Sequence, residues 1–293
     1  MADDRGIELV VNTRSRRGAD AFEELLSASR DAGLEYTHVH KLSRTSELGQ
    51  LLQEIRGRRP RLLVVGSGDG TISDVVDYLV DSDIELGFVP LGTTNNFARS
   101  LGVPFDIRQA VARIAGGRVL DIDLGEIQDE FFANVAGIGV SALTAQAATD
   151  ALKRKFGRLA YVLAGMRVLL RHKPFNVQIA DKDGELKLHF ETHQLIIANG
   201  RFHAGREIAV GADLDSRELV IFKLGGRSRL SFLWHTIDYY LGRRRSIAHE
   251  AYLIAKDVLI TTSRSQPVEL DGEVKFTTPL AVKVRSNAVK VRV

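Results

Sequence analysis

Short apolar runs alternate with stretches of helical spacing through the first hundred residues. Residues 7–11 are an apolar run ending at Asn12, and residues 19–32 carry apolar side chains at helical spacing until Gly33 stops them. The pattern predicts strand, loop, helix. It recurs, with strands at 36–40, 61–65 and 85–89 and helices at 47–55, 72–80 and 95–101. Leu62, Leu63, Val64 and Val65 are consecutive, which suits a sheet covered on both faces. The order βαβαβαβα predicts a parallel α/β sheet, whose ligands bind beyond the carboxyl ends of the strands. Two glycine-rich loops fall there.

After about Leu120 the pattern becomes strand-like, at 131–135, 175–179, 186–190, 194–198, 218–222, 258–262, 267–270, 274–276 and 280–293. Helical spacing interrupts it at 142–170 and 230–241. The expectation is a mostly β second domain.

Composition adds exclusions. The chain has 293 residues, 44% of them hydrophobic and 26% charged, as in an ordinary globular protein of two domains. Cysteine is absent, so disulfides, thiolate nucleophiles and Cys-ligated zinc are excluded. The eight histidines include no HExxH, and His189 with His193 reads as a solvated pair on one strand. The N-terminus is acidic with no apolar export signal, and the apolar stretch at 159–170 falls short of the roughly 20 residues a membrane span needs. A cytoplasmic protein, soluble or peripheral at a membrane, is expected. A net charge of +3 suits nucleic acid, an anionic bilayer or a phosphorylated ligand. The arginines at 56–61 and 243–245 carry no nucleic-acid signature, so no nucleic-acid partner is expected. The first group reads as a solvated helix end.

Gly66-Ser67-Gly68-Asp69-Gly70-Thr71 directly follows a strand and precedes a helix. Its glycines let the backbone approach an anion, and the N–H groups of a helix start favour phosphate. Asp69 makes chemical sense there if magnesium lies between it and the anion. The run lacks the lysine of a Walker A loop and the last glycine of GxGxxG, so a plain packing turn stays open. Pro90-Leu91-Gly92-Thr93-Thr94-Asn95-Asn96-Phe97-Ala98-Arg99 is a second strand-to-turn run, also readable as a helix capped by Thr93, Thr94 or Asn95.

Together these loops resemble the diacylglycerol kinase catalytic-domain family, which includes sphingosine kinases and bacterial soluble lipid kinases. Ser67 to Thr71 is similar to its GGDGT, and Pro90 to Arg99 to its PxGTxNDFAR. Phe132-Ala133-Asn134-Val135-Ala136-Gly137-Ile138-Gly139, Ala198-Asn199-Gly200-Arg201 and Leu270-Asp271-Gly272-Glu273 resemble its later signatures.

The resemblance implies an N-terminal nucleotide-binding α/β domain at 1–120, rejoined by a final strand at 285–293. It implies a lipid-substrate β-sandwich at 121–284, an active site in the cleft between the two, and ATP and Mg2+ as cofactors. Asn12, Ser43, Gly66, Ser67, Gly68, Asp69, Gly70, Thr71, Thr93 and Asn95 would contact nucleotide, and Asp69 would also serve catalysis and the metal. Asn96 and Asp123 would lie on the substrate side. Glu273 would be the general base, although Asp271-Gly272 alone is simply a hairpin turn. The expected activity is ATP-dependent phosphorylation of a lipid hydroxyl. A catalytically impaired relative and an NAD kinase are the alternatives.

Three positions depart from the family. Asn96 stands for aspartate, Asp74 for glutamate, and Ser216-Arg217 for the Asp-Gly that holds a structural magnesium in bacterial members. No structural metal is expected there. Residues 227–245 combine apolar and aromatic side chains with arginines, which suits peripheral contact with a lipid bilayer. A core helix explains the same letters, and a homodimer is left open.

Overall fold

The computed structural model describes residues 5–15, 17–148, 159–203, 205–207, 209, 212–226, 228–241 and 252–293. Two compact units emerge, Met1–Leu124 with Arg285–Val293, and Gly125–Val284.

In the first unit the order is β1 (Ile7–Asn12), α1 (Gly18–Asp31), β2 (His38–Leu42), α2 (Leu48–Arg58), β3 (Leu62–Ser67), α3 (Asp69–Leu79), β4 (Glu85–Pro90), α4 (Asn96–Ser100), α5 (Ile107–Gly116) and β5 (Val119–Ile127). Strands β2, β1, β3 and β4 pair in that order, all parallel. Lys290 to Arg292 of the closing strand add in parallel beside β4. All six residues of β3 are buried, which its continuous apolar run requires. Chain order reverses between β1 and β3, and their carboxyl ends form the switch point where open α/β sheets bind ligands. The helix α5 and the long strand β5 are additional to the pattern read from the sequence.

A carboxylate is buried in the middle of this sheet. Glu8, in the middle of β1, is 1% exposed, and Arg58 at the end of α2 donates to both its carboxylate oxygens at 2.7 Å. Burial raises the Glu8 pKa, but Arg58 and His40 outweigh it and hold the carboxyl below its ordinary value. Arg58 is therefore a buried carboxylate's partner, which corrects the reading of the 56–61 arginines as wholly solvated.

The second unit contains β6 (Glu130–Phe132), β7 (Val135–Gly139), α6 (Val140–Ala147), α7 (Leu159–Arg171), β8 (Phe175–Asp181), β9 (Leu186–Thr192), β10 (Gln194–Ala198), β11 (Phe202–His203), β12 (Arg206–Glu207), β13 (Leu219–Leu224), α8 (Arg229–Leu241), β14 (Tyr252–Ala255), β15 (Asp257–Thr262), β16 (Pro267–Leu270), β17 (Glu273–Thr277) and β18 (Leu280–Arg292). One antiparallel sheet runs β14-β13-β10-β7-β16-β17. A facing layer pairs the start of β18 with β15, then β8 and β9. Phe175, Ile179, Leu195, Ile197, Ile221 and Val268 meet between the layers as one apolar cluster. The alternate residues Ile196, Ala198, Val220 and Phe222 pack on the other side with Phe232 of α8 and Val168 and Leu169 of α7. The result is a β-sandwich with helices on its outer face.

His189 and His193 do not form a solvated pair. Only His189 is exposed. The strand breaks at His193, which is fully buried with its Nδ1 2.9 Å from Nδ1 of His172. The helical stretch expected over 142–170 contains α6 and α7; residues 149–158 between them, and Arg243 to Arg245, lie outside the described residues.

Candidate functional site

The turn after β3 begins α3 with Gly68 in extended conformation, and no side chain caps the helix. Its first-turn amides are an anion site by construction. The turn after β4 stands against it, since a methyl on Gly68 would come 3.2 Å from the Cα of Gly92. At Gly68 and Gly92 the two loops meet backbone to backbone.

Side chains lock this arrangement. Oδ2 of Asp69 accepts from the Thr94 hydroxyl at 2.7 Å and Oδ1 from the Phe97 N–H at 3.3 Å, so the carboxylate is aimed by the second loop. From the end of β1, Nδ2 of Asn12 donates to Oγ1 of Thr71 at 2.7 Å, across the switch point. Asn95 takes a left-handed backbone with φ 47, and its side chain accepts from the Gly92 N–H at 2.9 Å. Arg99 Nε closes the turn on the Thr94 carbonyl at 2.9 Å.

The expected residues separate by surroundings. Asn12, Gly66, Ser67, Gly68, Asp69, Gly70 and Thr71 gather at the ends of β1 and β3, with Gly70 exposed and Ser67 buried. Thr93 is exposed beside them, whereas Asn95 is 6% exposed and turned into its own loop. Ser43 is exposed just after β2. Asn96 is 9% exposed. Asp123 is 1% exposed and accepts from the Asn287 N–H at 2.9 Å, which ties it to a left-handed residue of the closing strand, φ 52.

Asp69 fits a magnesium ion in donor type. It offers hard oxygens, each engaged by one hydrogen bond, with lone-pair capacity left. Among the described residues no three His, Asp or Glu side chains converge as a metal cage, so phosphate oxygens and water would complete the shell.

In the second unit, the segments at 132–139, 198–201 and 270–273 converge on one backbone. The Asp271 carboxylate accepts from the N–H groups of Ala133 at 2.9 Å, Asn134 at 3.1 Å and Val135 at 2.9 Å. Asn199 Nδ2 donates to the Ala133 carbonyl at 3.0 Å, and the Asn199 and Gly200 N–H groups to that of Asn134. Asp271 and Gly272, with φ 47 and 100, are the two left-handed residues of a hairpin in which Leu270 pairs with Glu273. Glu273 leaves this clamped turn exposed, and its carboxylate makes no hydrogen bond or ion pair among the described residues.

Residues 7–127 match the model of the diacylglycerol kinase catalytic domain, and residues 134–293 that of the YegS C-terminal NAD kinase beta sandwich-like domain. The chain belongs to the diacylglycerol kinase catalytic-domain family. Within the family it is 29% identical over 253 residues to the diacylglycerol kinase of Bacillus subtilis (strain 168), covering 85% of this chain and 83% of that one. A crystal structure of a diacylglycerol kinase from Bacillus anthracis str. Sterne has the same fold, with TM-score 0.77 at 23% identity over 98% of this chain and 96% of that one. A yeast NADH kinase solved with NADH shares the architecture more loosely, with TM-score 0.53 at 14% identity over 99% and 84% of the two chains.

Buried Glu269 was not singled out from the sequence. It is 4% exposed, and burial pushes its carboxyl up to about 7. Its position one residue before Leu270-Asp271-Gly272-Glu273 was the available signal. Arg217, at the family's glycine position, keeps a left-handed φ of 59.

Proposed function

We propose that this protein transfers the γ-phosphoryl group of ATP to a hydroxyl of a diacylglycerol-like membrane lipid. The observation that carries the reading is the uncapped start of α3 behind a glycine turn, with Asp69 fixed at its first residue by Thr94 and Phe97. The turn from Gly66 to Thr71 would receive the phosphates. Asp69 would hold magnesium, which when bound neutralises charge developing on the phosphates. The acceptor oxygen bonds to the γ-phosphorus as the bond to the ADP oxygen breaks. Glu273 takes the hydroxyl proton, a task for which an exposed, unengaged carboxylate on a rigid turn is chemically suited.

The proposed setting is cytoplasmic, peripheral at the membrane. No described helix is long and apolar enough to cross a bilayer. Leu230 is 71% and Trp234 62% exposed on α8, and α7 exposes Met166 and Leu170. Arg229 Nε donates to the His172 carbonyl at 3.1 Å, which brings the start of α8 to the end of α7. An anionic bilayer suits apolar side chains bordered by Arg167, Arg171 and Lys173.

Radiolabelled ATP offered with diacylglycerol, phosphatidylglycerol, ceramide, sphingosine and NAD+ tests the activity. Label in a lipid with wild type and none with Glu273→Gln is the expected result. Label in NADP alone would move the protein to dinucleotide chemistry. Co-sedimentation with phosphatidylglycerol vesicles, weakened by Trp234→Ala with Leu230→Ala, is the matching test of the surface.

A further inference from the structure

Glu269 has no part in the reading above, yet it touches the turn that presents Glu273. Val268 pairs with Phe276 but Glu269 with Val274, so Lys275 is an extra residue of β17 and the ladder bulges at Glu269. Bulges re-aim side chains, and they cluster beside active sites. Here Oε2 of Glu269 accepts from the Gly272 N–H at 2.6 Å. Its other oxygen lies by the Ser141 hydroxyl, for a methyl on Gly137 would meet both atoms at 2.4 Å.

The proton inventory around Ser141 has one natural solution. Gln194 Nε2 donates to Ser141 Oγ at 2.8 Å, and Gln194 Oε1 accepts from the Ser141 N–H at 2.7 Å. The serine proton is then available to Glu269. An ionised Glu269 thus accepts from Gly272 and from Ser141 together. A protonated Glu269 must instead donate, and the Ser141 hydroxyl must turn to receive it.

We propose that Glu269 is a positioning residue whose ionised carboxylate holds the Gly272 amide and so sets the turn that presents Glu273. Asp271 clamps one side of that turn to the Ala133 to Val135 backbone, and Glu269 holds the other. Gly272 adjoins Glu273, so a shift of the Gly272 peptide passes directly to the base. The catalytic part of this role rests on Glu273 being the base.

The surroundings make the grip dependent on pH. Gly137 of β7, Ser141 of α6 and Gln194 of β10 are uncharged neighbours. The turn brings Asp271, and β17 brings Glu273 and Lys275, the latter paired with Glu130 at 2.5 Å. Burial first, and the Asp271 charge second, push the Glu269 carboxyl up; the Gly272 N–H and Ser141 pull it back, to about 7. The grip tightens as pH rises through neutrality.

Two measurements on the full chain decide the matter. In amide NMR spectra from pH 5.5 to 8.5, the Gly272 resonance titrates with a midpoint of about 7 in wild type and is flat in Glu269→Gln. In the lipid-kinase assay, wild-type kcat rises through that midpoint. Glu269→Gln loses this limb and about tenfold in kcat at pH 8, with KM for ATP unchanged, as expected when a charge-assisted hydrogen bond is reduced to a neutral one. A Gly272 amide that is flat in wild type, or that titrates unchanged in Glu269→Gln, overturns the proposal whether or not the protein turns over lipid. Identical pH profiles beside an inactive Glu273→Gln overturn it too. Full turnover by Glu273→Gln would instead remove the base assignment, leaving the amide titration to judge the grip on the turn.

Discussion

A methyl group on Gly92 would stand 2.7 Å from the Cα of Gly68 and 2.6 Å from Oδ1 of Asn95. The Gly68 contact cannot yield, because it is backbone bearing on backbone. Gly92→Ala should cost about 1 to 3 kcal/mol by overpacking and weaken ATP binding through the displaced turn. Gly70 is the control: it is exposed, lies in the first turn of α3 and has open space where its Cβ would go. Gly70→Ala should raise stability by about 0.5 to 1 kcal/mol, yet lower ATP affinity if phosphate approaches that amide. Thermal denaturation and calorimetry with MgATP separate the two; an unaffected ATP affinity in Gly70→Ala would remove the phosphate from this turn.

Asp69 should behave as a functional rather than a structural carboxylate. Asparagine keeps one acceptor for Thr94 or the Phe97 N–H but loses the charge that a magnesium nucleotide needs. Asp69→Asn should melt within a few degrees of wild type while kcat falls by at least about 100-fold, the scale of losing an electrostatic contact in phosphoryl transfer. Retained turnover at saturating magnesium would exclude the role.

Much of this was legible in the chain and some was not, for reasons of distance. The run from Leu62 to Val65 and the glycines after it announce a buried strand and a tight turn locally. His193 looked solvated because its partners, His172 just after α7 and Phe232 of α8, lie 21 and 39 positions away. Arg58 looked solvated because Glu8 lies 50 residues earlier in an apolar strand. Asp123 drew attention as a carboxylate near chemistry, and only the folded chain reveals its bond to the Asn287 amide. Likewise, nothing in the spelling of 267–277 announces the bulge that turns Glu269 inward, because a bulge belongs to the pairing of two strands.

Asp271 and Glu273, two residues apart, should fail in different ways. Asp271→Ala strips the acceptor from three backbone amides, at a cost of about 3 kcal/mol or more, visible as a lower denaturation midpoint. Glu273→Gln touches no hydrogen bond among the described residues and should leave that midpoint unchanged while abolishing lipid phosphorylation. A destabilised Glu273→Gln would return that residue to a structural role.

Glu269 also gives stability a measurable slope. Its folded carboxyl sits at about 7 against an ordinary 4.5, so between these values the folded state holds more proton than the unfolded one. The Glu269 contribution is complete below pH 4.5, declines by up to about 3 kcal/mol as pH rises to 7, and then levels off. Glu269→Gln, which retains an acceptor for Gly272 and a donor for Ser141, should flatten that decline. Urea titrations at pH 5 and pH 8 measure it, and an equal wild-type-to-mutant difference at both pH values would exclude the linkage.

The buried histidines impose the opposite slope. His172 Nδ1 and His193 Nδ1 lie 2.9 Å apart, so one donates and the other accepts, which a doubly protonated pair cannot do. Burial first, then His193 and Arg264, push His172 down from 6.5 to about 4. The unfolded chain therefore takes up the proton first as pH falls. The His172 contribution is complete above pH 6.5 and is lost through pH 4, by up to about 3 kcal/mol. The loss begins where α7 ends, because the His172 carbonyl also receives Arg229 of α8. His172→Phe should remove the acid slope at some cost in stability at neutral pH, where the His193 nitrogen would lose its partner. Amide exchange near pH 5 should then find α7 and α8 opening before the strands of the sandwich in wild type. Uniform exchange across both would place the acid-labile group elsewhere.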